Sequence, residues 1–169
     1  MIEIVEKRKE ESNSSITEEN LQKAMEFVRQ NPEKIKAISV TDLLKHQRDL
    51  YFKEGKKEDS FLFELLVLLG AEFDDDTFYY AIDLGMLGLV KLLVERYNFD
   101  VNGEYYIPIL TAINASSATC TEDEKAEVVK FLISKGADIH VNANQALEIA
   151  TNKKMYKVLK VLLDADESI

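Results

Sequence analysis

The chain is poor in the residues that build disulfide-rich or turn-rich folds. It has one cysteine, two prolines and six glycines in 169 residues. Cys120 alone excludes an internal disulfide framework and fits a reducing compartment. So few prolines and glycines argue against an all-β chain with many turns. No apolar run reaches the roughly 18 residues that a membrane span needs. Residues 1–15 are charged and lack the apolar core of a signal peptide. A cytoplasmic protein with no membrane partner is expected.

Catalytic groups are equally sparse. His46 and His140 lie far apart in the chain, and Cys120 sits in a Ser/Thr-rich stretch with no basic residue before Lys125, so it reads as an exposed, incidental thiol. Asp74-Asp75-Asp76 lacks the alternating ligands, turn glycine and terminal glutamate of a calcium loop. The run reads instead as an inter-helix turn, with Asp76 or Thr77 capping the helix that follows. No catalytic, cofactor-binding or metal-binding residues are expected, and the protein is not read as an enzyme.

What is abundant is helix-forming apolar and charged sequence. The composition is 46% hydrophobic and 31% charged, which suits one folded domain. The net charge is −10, and it is unevenly placed. Residues 1–58 hold 12 Lys/Arg and 12 Asp/Glu, whereas residues 59–169 hold 9 and 19. The excess acid repels nucleic acid and anionic lipid and favours a basic partner.

Along the chain, residues 1–15 have too little apolar area to order alone and predict a disordered tail. Ser15 and Glu18 have capping-box spacing ahead of Leu21, Ala24, Met25 and Val28, which share a helix face until Asn31-Pro32. Asn31 is placed to cap a short segment carrying Ile35 and Ile38, with Pro32 in its first position. Thr41 is placed to cap a helix through Leu43, Leu44, Leu50 and Tyr51, which Gly55-Lys56-Lys57 interrupts. Residues 16–57 therefore read as an N-terminal helical cap.

Beyond it a repeat emerges. Val128-Val129-Lys130-Phe131-Leu132-Ile133-Ser134-Lys135-Gly136-Ala137-Asp138-Ile139 is a helix closed by a glycine that tolerates positive φ. Phe61 to Phe73 repeats it, with Gly70 on Gly136. Leu89 to Val101 repeats it again, with Asn98 at the turn, and Val158 to Leu163 begins a fourth copy. Shorter apolar helices precede the last three copies, carrying Ala81, Ala112 and Ala150. Helix–turn–helix units at this period predict a stacked solenoid.

The stretch Phe78-Tyr79-Tyr80-Ala81-Ile82-Asp83-Leu84-Gly85-Met86-Leu87-Gly88-Leu89-Val90-Lys91-Leu92-Leu93 resembles an ankyrin repeat. The match lies in the alanine, the glycine and the Val-Lys-Leu-Leu run. Ile107-Pro108-Ile109-Leu110-Thr111-Ala112 is similar to that family's Thr-Pro-Leu-His opening. The expected fold is thus all-α, an ankyrin-like helical solenoid over residues 58–169 in units of about 58–75, 76–104, 105–143 and 144–169. Its connecting turns are shorter than the family's β-hairpin fingers. Residues 115–121 form an insertion, after which Thr121 and Glu124 have capping-box spacing. The last helix lacks a polar outer face, so Val158, Val161 and Leu162 are expected either to leave apolar surface at that end or to be covered.

The resemblance implies that partners meet the inter-repeat turns and the exposed side of the inner helices. Those positions are Asp74, Asp75, Tyr79, Asp83, Glu104, Tyr105, Asn114, Asn144 and Asn152. Residues 74–124 hold ten acidic residues against Lys91 and Arg96, which predicts an acidic groove. Tyr79-Tyr80 and Tyr105-Tyr106 add aromatic area, each doublet turning at most one ring into the stack. The expected function is a non-catalytic protein-protein interaction module that binds a basic segment of another protein. The alternatives are an inhibitor or immunity-type protein occluding a basic enzyme surface, or a pathogen effector acting on a host protein in the host cytosol. Self-association through the last helix is also open.

Overall fold

The computed structural model describes residue 10 and residues 17–54, 60–103 and 107–166. Most of the expected tail, the Gly55 break and the Tyr105-Tyr106 doublet lie outside these residues. The regular structure of the described residues is helical, with one isolated bridge and no strand. The helices are α1 (Glu18–Gln30), α2 (Pro32–Lys36), α3 (Val40–Glu54), α4 (Ser60–Leu68), α5 (Asp75–Asp83), α6 (Leu87–Tyr97), α7 (Pro108–Asn114), α8 (Glu122–Ser134), α9 (Val141–Asn152) and α10 (Tyr156–Asp166).

Their contacts form two rows. Helices α3, α5, α7 and α9 each pack against the next, and so do α4, α6, α8 and α10. The rows are joined in hairpins, α3 with α4, α5 with α6, α7 with α8 and α9 with α10. Small residues let the first row stack closely: Ala81, Ala112, Ala146 and Ala150 are all buried. Branched and aromatic residues of the second row, among them Leu89, Val90, Val128, Leu132 and Val158, fill the space between rows. Helix α3 stands in the first row beside α5.

Left-handed residues close the hairpins where the sequence pattern asks for them. Gly70 and Gly136 have φ of 94° and 90°, and Asn98 ends α6 at φ 56°. Glycine lacks the Cβ that makes this region costly, and asparagine tolerates it. Within the second hairpin Gly85, at φ 65°, is needed twice over. A Cβ there would lie 2.6 Å from Cys120 Sγ.

Three N-terminal assignments differ from expectation. Helix α1 starts at Glu18 and is capped by Thr17, whose hydroxyl accepts the Asn20 N–H at 3.3 Å; the cap is thus two residues after Ser15. Asn31 precedes Pro32 but makes no side-chain cap, because its amide turns back to donate to the Phe27 carbonyl at 3.0 Å. Thr41 lies inside α3, and Ser39 Oγ instead accepts the Asp42 N–H at 3.2 Å. Thr41 was drawn away by a distant partner: its hydroxyl donates to Asp74 Oδ1 at 2.6 Å and lies 2.6 Å from Thr77 Oγ1.

The turns between hairpins are stitched to one another. Val40 N–H donates to the Glu72 carbonyl at 2.8 Å and Glu72 N–H to the Ile38 carbonyl at 2.9 Å. Phe73 then meets Tyr97 and Phe99, with centroids 4.8 and 6.2 Å away, and Phe78 meets Phe99 at 5.4 Å. Asn102 completes the series, donating to the Gly136 carbonyl at 2.9 Å and accepting the Asp138 N–H at 2.9 Å.

Two polar groups are buried in this framework. Glu64, 1% exposed in the otherwise apolar α4, lies against Gly88 in the first turn of α6. The N-terminal end of the helix dipole favours a carboxylate there, and an alanine methyl at Gly88 would overlap Glu64 Oε1. Lys125, 3% exposed, donates from Nζ to the Ala115 carbonyl that ends α7.

Candidate functional site

The sequence-derived positions divide between the two ends of the first-row helices. Asp74 and Asp75 stand at the N-terminal end of α5, and Asn144 at that of α9. Asp83, Asn114 and Asn152 stand at the C-terminal ends of α5, α7 and α9. Nine residues of α5 separate its ends by about 13 Å. The described positions among the nine therefore do not form one cluster. Glu104 and Tyr105 lie outside the described residues.

At the N-terminal end most polar capacity is already used. Asp74, rather than Asp76 or Thr77, is the N-cap of α5: it accepts the Thr77 N–H at 3.2 Å while Thr77 Oγ1 accepts the Asp74 N–H at 3.1 Å. Asp75 is exposed in the first turn, and Asp76 is 3.9 Å from Lys45. Asn144 belongs to a left-handed turn with Asn142 and Ala143, at φ of 67°, 51° and 57°. Its side-chain oxygen is 2.6 Å from His140 Nδ1. Among the described residues no group of three or more His, Cys, Asp or Glu is placed to hold a metal ion.

The C-terminal end is more suggestive. Asp83, Asn114 and Asn152 each follow a buried alanine by two residues, so they occupy one repeated position in successive helices. Tyr79 and Tyr80 lie one turn earlier on α5, both half-buried, with rings edge to face at 5.2 Å. Both rings of this doublet are thus partly packed, where the sequence favours one. The Arg48 guanidinium stands 4.8 Å from the Tyr80 centroid and Lys45 Nζ 5.7 Å from it, both reaching over from α3.

Electrostatics set Asp83 apart. Burial pushes its carboxyl above the usual carboxylate range, although Arg48 and Lys125 oppose the shift. The Tyr79 phenol is likewise raised, first by burial and then by Asp83. Burial lowers the Lys125 amine. Lys153 Nζ donates to Asn114 Oδ1 at 3.0 Å and links α9 to α7.

No protein-family model, no curated protein and no solved structure matches this chain.

The surroundings of Asp83 are therefore less uniformly acidic than the charge count predicts. Arg48, Lys45, Lys125 and Lys153 are interleaved with Asp83 and the tyrosines. Their approach to Tyr80, Asp83 and Asn114 carries no local sequence signal, because each of these contacts spans 30 or more residues. Cys120 is a further correction. It is 2% exposed, held against Gly85, and the insertion around it is pinned as Thr119 Oγ1 donates to the Asp83 carbonyl at 3.4 Å. Packing on the preceding hairpin, which the Ser/Thr-rich composition hides, has removed the thiol from solvent.

Proposed function

We propose that this chain is a short ankyrin-like solenoid and a non-catalytic binding module, holding a basic segment of another protein on the exposed side of its first-row helices. The reading rests on the two-row stacking of helix hairpins and the repeated alanine and turn positions. It makes α3 the inner helix of the first unit and leaves α1 and α2 as the N-terminal cap.

One observation carries the choice of partner. Asp83 is a half-buried carboxylate, poorly hydrated, beside the partly exposed ring of Tyr79. An incoming Lys or Arg would restore the lost charge stabilisation and lay its aliphatic stem or guanidinium on the tyrosine face. A buried thiol and the absence of a long apolar helix among the described residues suit the cytosol.

Fluorescence anisotropy with a labelled Lys/Arg-rich peptide tests the reading. Asp83→Ala or Tyr79→Ala should weaken binding about tenfold, the scale of one desolvated charge pair or aromatic contact. Raising the salt should weaken the wild type further. Equal affinity for wild type and both variants would remove the site from this face.

A further inference from the structure

The last hairpin carries a surface of opposite character. Between Ile149 and Leu163 there is no acidic residue, and Lys153, Lys154, Lys157 and Lys160 fall within one short span of a chain whose net charge is −10. In its middle Tyr156 is 71% exposed, more than any other large hydrophobic side chain among the described residues. Of the three residues expected either to leave apolar surface here or to be covered, Val158 and Leu162 are buried and Val161 is partly buried. Glu122 and Asp123 of α8 engage the backbone N–H and the amine of Lys157, Lys153 is tied to Asn114, and Asp164 follows Lys160 by one turn, while Lys154 and Lys160 are solvent-exposed.

Lys154 also stands in a conformation that a lysine enters at a cost. Its φ is 55°, in the left-handed region. Lys154 N–H donates to the Thr151 carbonyl at 3.0 Å and Met155 N–H to the Ala150 carbonyl at 2.9 Å. The second hairpin has the same turn, with Gly85 N–H to the Ile82 carbonyl at 3.0 Å and Met86 N–H to the Ala81 carbonyl at 2.8 Å. Glycine closes such a turn without strain, yet here the position holds a charged side chain directed to solvent. Strain that the fold does not need points to a use outside the fold.

We propose that Lys154, Tyr156 and Lys160 form a docking surface for an acidic peptide segment of a partner protein. The partner's carboxylates meet the two lysines and an apolar side chain covers the tyrosine ring. Charge complementarity selects this occupant. The acid-rich remainder of the chain repels an extended polyanion and an anionic membrane sheet, whereas a short acidic segment reaches the patch within a Debye length. The surface is separate from the Tyr79–Asp83 face, so variants of one leave the other intact.

The test uses the full chain and a labelled decapeptide of Glu and Asp with a central Phe, read by anisotropy. Lys154→Glu with Lys160→Glu should weaken binding at least tenfold, as should a rise from about 50 to 500 mM salt. Tyr156→Ala should weaken it several-fold. The deciding variant is Lys154→Gly, which should raise the melting temperature by about 3 °C and still lose several-fold in affinity. A Lys154→Gly protein that is stabilised but binds equally well would overturn the proposal, because the lysine would then be incidental. Tighter binding of an oligonucleotide or of phosphatidylserine vesicles, self-association abolished by the same variants, or no peptide binding at all would overturn it too.

Discussion

Asp83 shows how a single position takes on opposing duties. Its carboxyl is held above the ordinary range by burial, so the folded chain binds that proton more tightly than the unfolded one. Stability from this group is present in full below the unfolded carboxyl range, and it is lost as the pH rises through the raised folded value. At neutral pH the ionised side chain therefore opposes folding, in keeping with the binding role proposed for it. Asp83→Asn should melt above the parent at about pH 7, and the gap should close by about pH 3, where both carboxyl states are protonated. A gap that persists unchanged in acid would assign the effect to packing instead of charge.

At the scale of elements, helix ends connect one hairpin to the next. Thr41 is 3% exposed and links α3 to the cap of α5 through Asp74 and Thr77. Thr41→Val keeps the shape but removes the hydroxyl that bonds Asp74 and the buried Thr77 Oγ1, which costs about 1–3 kcal/mol. Urea unfolding should show that loss, with faster hydrogen exchange in the first turn of α5; unchanged exchange there would mean that Asp74 and Thr77 cap α5 unaided. Such links mark where sequence reading stops. The Thr121–Glu124 capping box was legible because both partners lie three residues apart, and it is present in full. The left-handed turns at Gly70, Asn98 and Gly136 were legible for the same reason. Thr41, Cys120, Arg48 and Lys153 were not, because their partners are set by which helices stack. The aromatic contacts among Phe73, Phe78, Tyr97 and Phe99 also escaped notice, since periodicity marks these residues as apolar without saying what they touch.

Across the whole molecule, contacts pass from each helix to its row neighbours and its hairpin partner, so stability should accumulate as a series of local interfaces. Leu132 is fully buried in α8, which contacts α6, α7 and α10, whereas Leu162 is buried in α10 at the end of the series. Truncating either leucine to alanine should cost about 2–5 kcal/mol locally, from lost transfer energy and the cavity left behind. The spread of the damage should differ. Leu132→Ala should speed hydrogen exchange in helices on both sides of α8, because it loosens interfaces toward each end. Leu162→Ala should speed exchange in α9 and α10 while α3 to α6 keep their protection. If Leu162→Ala instead accelerated exchange equally from α3 to α10, the chain would be unfolding as one cooperative block. The helix rows would then be no more divisible than an ordinary globular core, and the two proposed binding surfaces would be energetically coupled instead of independent.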